Sequence, residues 1–235
     1  MDMRTGPPID LPRYLSVLPL FQEMERQELE RLAAGCTLRR MLRGDMVFSV
    51  GEPCDGFHVT LTGQVKLFVL SAAGQEKVIE IIAPGQSFAE ALMFTGRPYI
   101  VSAQALNDTL LLTVSKQAVE QEIARDPRFA LRMLAGISRR MHGLVRDVES
   151  YALHSGMQRV IGYLLRDQTR EDGATGEELM VSLPVSKATI ASRLSLTPEY
   201  FSRVLHELEA SGLVRVDKRD IHILDTERLA AAMTP

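Results

Sequence analysis

The sequence is poor in cysteine, has no long apolar run and carries little excess charge of either sign. Its two cysteines, Cys36 and Cys54, stand far from any C-x-x-C spacing. A disulfide framework or a Cys-ligated zinc centre therefore does not fit. An iron–sulfur cluster, which usually takes four thiolates, lacks its ligands. Two buried, inert thiols are the plain reading. No apolar stretch approaches the roughly 18 residues of a membrane span. The opening Met1-Asp2-Met3-Arg4-Thr5-Gly6-Pro7-Pro8 is polar and holds no hydrophobic export segment. The expectation is a cytoplasmic protein with no membrane partner. With 27 Lys and Arg against 30 Asp and Glu, the formal net charge is −3. That argues against a protein that coats nucleic acid by bulk charge but leaves room for a small basic reading head.

What is present is the composition of a soluble globular protein. In 235 residues, 46% are hydrophobic and 24% charged, which suits one large or two smaller domains and excludes disordered or collagen-like architectures. Three regimes follow one another. Residues 10–43 read as amphipathic helix, with Leu29, Leu32 and Ala33 at i, i+3, i+4 and an Arg-rich stretch after Cys36 ending it. From 44 to 114, Gly44, Gly51, Gly63, Gly74 and Gly85 punctuate strand-like runs at 46–50, 57–61, 65–70, 78–82 and 109–114, which predicts a small antiparallel roll. The segment 85–96 interrupts it with a short helical turn. After Asp126-Pro127 one long helix follows. Leu134, Met141 and Val148 repeat every seven residues, and Ile137, Leu144 and Tyr151 do the same one turn along. This seam fits pairing with a second copy, or packing on the chain's own barrel. The domains implied are 1–125, 126–154 and 155–235.

The last third reads as a helix at 157–169, a Gly-rich acidic loop at 171–178, a strand at 179–181 and two helices around a tight turn. Ser186 caps the first, Lys187 to Leu194. Thr197 caps the second, with Pro198 at its first position and Gly212 at its end. Two strands, 213–216 and 221–224, close a β wing, so the segment is a winged helix-turn-helix and the whole chain α+β. Glu199, Ser202 and Arg203 lie on one face of the second helix, with Phe201, Val204, Leu205 and Leu208 opposite. Arg can donate to guanine O6 and N7, Glu can accept from cytosine N4, and Ser can reach a base edge. A solvated face with an internal Glu199–Arg203 pair is the bland alternative. The capped turn, the preceding helix and the wing favour reading of double-stranded DNA. Ser186, Lys187, Thr189 and Thr197 are expected to contact DNA beside the reading face, and Lys218 and Arg219 of the wing suit phosphate contacts.

On these residues the chain resembles the CRP/FNR superfamily of bacterial transcription regulators, which are not enzymes. The resemblance implies a double-stranded β-roll of cyclic-nucleotide-binding type, a long dimer helix and a C-terminal winged helix-turn-helix. It implies a homodimer that contacts RNA polymerase if it activates. The run Pro198-Glu199-Tyr200-Phe201-Ser202-Arg203-Val204-Leu205 is similar to the E-x-x-S-R element of the FNR-like branch, implying a TTGAT-N4-ATCAA palindrome. Gly74-Gln75-Glu76-Lys77-Val78 and Phe88-Ala89-Glu90-Ala91-Leu92-Met93-Phe94 resemble the nitric-oxide-responsive regulators of dissimilatory nitrate respiration, thought to use haem.

Departures from the superfamily pattern bear on the effector. Cyclic-AMP binders keep a Gly-Glu pair and, about ten residues after the Glu, an Arg-Ser that grips the phosphate. Here the Gly is Ala89, Glu90 remains, and Ile100 takes the Arg position, with Arg97 three residues early. Ile cannot neutralise a phosphate, so a cyclic nucleotide is not expected. The N-terminal cysteine cluster of the oxygen-sensing branch is absent, so no iron–sulfur cluster is expected either. An apolar effector pocket is expected from Val65, Leu67, Ile79, Ile81, Phe88, Met93 and Phe94, with Glu90, facing Met133, Ile137 and Met141. The same stripe also reads as plain core. Haem b would need an axial ligand; of His58, His142, His154, His206 and His222, the choice is His142. A nucleotide-responsive CRP-like regulator, a cupin-like enzyme (which lacks its His/Glu cluster) and an effector-independent DNA-binding protein are the rival readings.

Overall fold

The structure, a computed structural model, describes residues 10–18, 21, 24–166, 179–183, 186–218 and 220–233. The order is α1 (Leu11–Ser16), α2 (Arg26–Ala34), β1 (Cys36–Met41), β2 (Met46–Phe48), β3 (Gly56–Thr62), β4 (Val65–Leu70), β5 (Glu76–Ile82), β6 (Ser87–Phe88), α3 (Glu90–Thr95), β7 (Ser102–Ala105), β8 (Thr109–Ser115), α4 (Lys116–Arg125), α5 (Arg128–Leu153), α6 (Gly156–Arg166), β9 (Leu179–Ser182), α7 (Lys187–Arg193), α8 (Pro198–Ala210), β10 (Val214–Asp217), β11 (Asp220–Ile223) and α9 (Thr226–Ala231). The chain divides into two compact units: Met1–Val69 with Ile79–His142, and Leu70–Val78 with Gly143–Pro235.

The first unit is built on two antiparallel four-stranded sheets, ordered β1-β8-β3-β6 and β2-β7-β4-β5. Phe57, Val59, Val65, Phe88, Leu112 and Val114 fill the space between them. Close approach dictates two glycines here. A Cβ at Gly56 would stand 2.3 Å from the Val114 carbonyl oxygen, and one at Gly63 2.4 Å from Thr109 Oγ1. Phe21 closes the base of the roll between Phe57 and Phe129, each ring centroid 6.3 Å away.

The helical reading of 10–43 needs correction. It resolves into two short helices, and the Arg-rich stretch is strand β1, paired residue by residue with β8 from Cys36↔Val114 to Met41↔Thr109. Leu38 packs on the core while Arg39 and Arg40 are exposed, so cross-strand pairing overrides the helical pattern. Helix α4 went unread; Ser115 caps it, accepting from the Ala118 N–H at 3.3 Å, and its buried Glu122 takes a two-pronged bond from Arg31 at 2.9 and 3.0 Å.

Helix α5 has one buried stripe, Phe129 and Met133, and one bare apolar one. Leu131, Leu134, Met141, Val145 and Val148 are exposed. With Ser138 between them they follow a 3-4-3-4-3 spacing, a heptad seam left uncovered in a single chain. Leu144 is also exposed, whereas Ile137 and Tyr151 are half-buried. In the second unit, β10-β11-β9 form an antiparallel sheet beside α6, α7 and α8. The acidic loop 171–178 lies outside the described residues.

Ala89, directly before α3, has φ 75°, in the left-handed region where a Cβ is strained. Replacing it by glycine removes the strain while making the unfolded chain more flexible. Ala89→Gly is expected to raise stability by about 0.5–1 kcal/mol. Thermal melts of the two proteins check this, and an unchanged or lower Tm contradicts it.

Candidate functional site

The second unit carries the residues expected to form the reading face. The Ser186 hydroxyl caps α7, accepting from the Thr189 N–H at 3.2 Å, and lies 2.9 Å from the Thr189 hydroxyl. The turn passes through Ser195 at φ 56°. The Thr197 hydroxyl caps α8 by accepting from the Tyr200 N–H at 3.2 Å. These hydroxyls are therefore engaged in holding helix ends, the task that a Ser or Thr at an N-cap performs. Phe201, Val204, Leu205 and Leu208 are buried, Ser202 is half-buried, and Glu199 and Arg203 are exposed. Arg203 does not pair with Glu199. Its Nε lies 3.9 Å from Glu207 Oε1, and its guanidinium carbon sits 4.7 Å from the Tyr200 ring centroid. Lys187 is half-buried. Lys218 is exposed at the wing tip with φ 55°. Arg219 lies outside the described residues.

The turn between α7 and α8 is held by groups that sequence reasoning did not assign. Lys77 Nζ donates to the carbonyls of Ser192 (2.7 Å) and Arg193 (3.0 Å) and to the Ser195 hydroxyl (2.8 Å). The Tyr151 hydroxyl donates to the Arg193 carbonyl at 2.6 Å, and Arg159 Nη1 to the Leu194 carbonyl at 2.8 Å. Arg193 in turn donates to Asp147 at 2.5 Å. Burial, then the charge of Arg193, lowers the Lys77 ammonium to about 8. Tyr151, expected at the dimer seam, thus turns to its own chain. No sequence period marks Lys77; it appears only inside the Gly74–Val78 run.

In the first unit the expected pocket residues separate. Val65, Leu67, Phe88, Met93 and Met133 belong to the continuous core. Ile79, Ile81 and Ile137 are half-buried, and Phe94 and Met141 are exposed. Glu90 is buried, and Arg140 of α5 is the cation on it. Arg140 Nη1 donates to Glu90 Oε2 at 3.3 Å and to the Ser87 carbonyl at 2.7 Å, while its Nε donates to Glu80 Oε2 at 2.9 Å. Arg140 was missed although it stands seven residues after Met133, on the same helical stripe. Ile100 and Arg97, the residues at and near the phosphate-gripping position, are both exposed. Burial pushes the Cys36 thiol up to about 12, and Cys54 is buried with its Sγ 3.3 Å from the Gly56 carbonyl oxygen. The raised Cys36 thiol is thus kept protonated and is not activated as a nucleophile.

Two histidines differ sharply. His58 is buried with both ring nitrogens engaged, Nδ1 at 2.9 Å from the Thr113 hydroxyl and Nε2 at 3.1 Å from the Tyr99 hydroxyl, and it packs on Phe48 and Phe88. His142 is exposed, and no hydrogen bond or ion pair holds it among the described residues.

Two family models match the chain: a cyclic nucleotide-binding domain over residues 38–126 and a Crp-like helix-turn-helix domain over 158–232. The CRP-like cAMP-activated global transcriptional regulator of Mycobacterium tuberculosis is 25% identical over 211 residues, covering 90% of this chain and 94% of that one. The solved structure of FixK2 from Bradyrhizobium japonicum superposes with a TM-score of 0.74 at 23% identity, covering 85% and 98%. DNR from Pseudomonas aeruginosa is 35% identical, covering 93% and 96%, with a TM-score of 0.49.

Burial, then the charge of Arg39, lowers His58 from 6.5 to about 4. Above pH 6.5 the ring is neutral in folded and unfolded chains alike, so its full stability is present. As pH falls from 6.5 to about 4 the unfolded chain takes up a proton that the folded one refuses, and stability drops by an amount on the order of 3 kcal/mol. His58→Gln should flatten the fall of the urea midpoint across that window. Equal slopes for the two proteins would remove His58 as the cause.

Proposed function

The chain belongs to the CRP/FNR family of transcription regulators, joining a cyclic nucleotide-binding-type domain to a Crp-like helix-turn-helix, and from that premise we propose that it is a homodimer reading a TTGAT-N4-ATCAA palindrome under control of a small effector. The observation that carries the reading is the start of α8. There Glu199 and Arg203 stand exposed above a fully buried apolar face, on a helix capped by Thr197. A recognition helix presents such a face to the major groove. The bare seam of α5 supports a second copy, and a two-fold dimer matches a palindrome. RNA polymerase is the further partner if the protein activates.

For the effector the proposal is nitric oxide sensed through haem b, with denitrification or anaerobic-respiration genes as targets. It rests on the Gly74–Val78 and Phe88–Phe94 runs. The donor chemistry fits at one of the roll and α5 histidines: His58 has both nitrogens taken, while the His142 imidazole is free. His142 would hold the iron, and the group would supply gas binding. Arg140, two residues earlier, holds the same turn of α5 to Ser87, Glu80 and Glu90. A shift of that turn therefore alters the roll and the helix seam together, and an effector works by binding one arrangement better than the other. A cyclic nucleotide is the second reading, favoured by the domain match over 38–126, by Glu90 and by the cAMP-activated relative.

Two measurements test these statements. In competition gels, Arg203→Ala should weaken binding to the palindrome by about 1–3 kcal/mol and relax discrimination at its guanine, whereas Lys218→Ala should weaken binding to all sequences and flatten the salt dependence. Unchanged selectivity in the Arg203 variant contradicts its role. In absorption spectra of haem-reconstituted ferrous protein, a stoichiometric Soret band should move with nitric oxide and change in His142→Ala. No uptake, together with calorimetric binding of cyclic AMP, selects the second reading, and an unchanged spectrum in His142→Ala removes the ligand assignment.

A further inference from the structure

Tyr200 lies in the first turn of α8, three residues before Arg203, and two independent observations converge on its ring. The first is its seat. A Cβ on Gly156 would stand 2.5 Å from Tyr200 Cε1 and 2.9 Å from both Cζ and the hydroxyl oxygen, so the ring lies directly on the Gly156 backbone. That backbone is the start of α6, where Ser155 and Gln158 cap each other at 2.7 and 3.2 Å. One position further on, Arg159 bonds the Leu194 carbonyl of the turn. The seat is therefore a fixed point. The second observation is the cation: the Arg203 guanidinium carbon lies 4.7 Å from the ring centroid, with Glu207 at 3.9 Å from its Nε. Arg203 nevertheless stays 64% exposed at its side chain, so the ring orients it without removing it from the reading face.

We propose that Tyr200 is a positioning residue for base reading: seated on Gly156, it holds the Arg203 guanidinium in the orientation from which it discriminates guanine. The inference rests on the reading of Arg203 given above. A guanidinium forks onto O6 and N7 in one plane, so an arginine that must first be ordered from many rotamers gives up part of the gain. A ring beneath it restricts those rotamers before binding. Because Gly156 opens α6 just after the end of α5, this seat also links the start of α6 to the specificity of α8, through a side chain that need not touch DNA.

The experiment uses the full-length protein and measures the ratio of affinities for the palindrome and for the same duplex with 7-deazaguanine in place of the contacted guanine. Tyr200→Leu should lower this ratio by about two- to fivefold, the share of an exposed cation–π contact. Tyr200→Phe, which keeps the ring, should retain it. Gly156→Ala, which leaves Tyr200 in place but fills its seat, should lower it as Tyr200→Leu does. The slope of affinity against salt should be the same for all, since no phosphate contact is removed. Thermal melts identify any variant that fails to fold; if Tyr200→Leu does, Gly156→Ala decides. Wild-type ratios in both folded variants overturn the positioning role, provided Arg203→Ala loses the ratio. If Arg203→Ala keeps it, the reading of Arg203 itself fails.

Discussion

An α-helix ends in carbonyl oxygens that the helix itself cannot satisfy, and the reading head depends on how those at the end of α7 are held. The chain must turn there within a few residues and start α8 at a fixed angle. Ser195 makes the turn in a left-handed conformation, which costs a non-glycine residue about 1–2 kcal/mol. That strain persists because the neighbouring oxygens are bonded from three directions, by Lys77, Tyr151 and Arg159. Two of the three donors are cations at the negative end of a helix, where they are most favourable. Lys77 adds a geometric advantage: a compact ammonium with three donors meets three acceptors at 2.7–3.0 Å. Its burial opposes its charge and lowers its pKa to about 8, while all three of its donors are met by those bonds.

The same requirement, that a buried polar group be answered, organises the first unit. Glu90 is buried beside the end of β6, and a lone carboxylate there would be strongly destabilising. Arg140 answers it from α5, and the remaining donors of the guanidinium reach Glu80 and Ser87, so one side chain fixes the helix against three points of the roll. At the far end of the same unit, Arg31 and Glu122 do likewise between α2 and α4. Apolar packing supplies most of the cohesion of the roll, but it is non-directional. These ion pairs are directional, and they define where the helices lie on it.

The parts of this arrangement legible in the sequence are those with a local or periodic signature. Ser186, Thr197 and Pro198 announce helix starts by residue type, and the apolar side of α8 shows in the spacing of Phe201, Val204, Leu205 and Leu208. Leu134, Met141 and Val148 repeat at seven and are exposed on α5. Strand β1 leaves no local signature because its pairing partners lie 68 to 78 residues away. For the same reason neither Lys77 nor Arg140 could be assigned: each acts through bonds spanning 50 residues or more, which leave no period in the chain. Tyr151 shows the complementary case: it keeps the heptad spacing, but the bond of its hydroxyl to the Arg193 carbonyl, 42 residues away, has no period to announce it.

The charges around Glu90 bear on the effector proposed above. Arg140 brings one positive charge to two carboxylates, Glu80 and Glu90. A cyclic phosphate arriving there would have to take the guanidinium from them, leaving a buried carboxylate unpaired. In the superfamily pattern a separate arginine avoids that competition, but Ile100 stands at its position. A neutral ligand faces no such exchange, because it can perturb the helix–roll junction while Arg140 keeps its carboxylates. For the proposed uncharged effector the pairing that stabilises α5 on the roll therefore raises no conflict, and that is the physical ground on which we propose it ahead of a nucleotide.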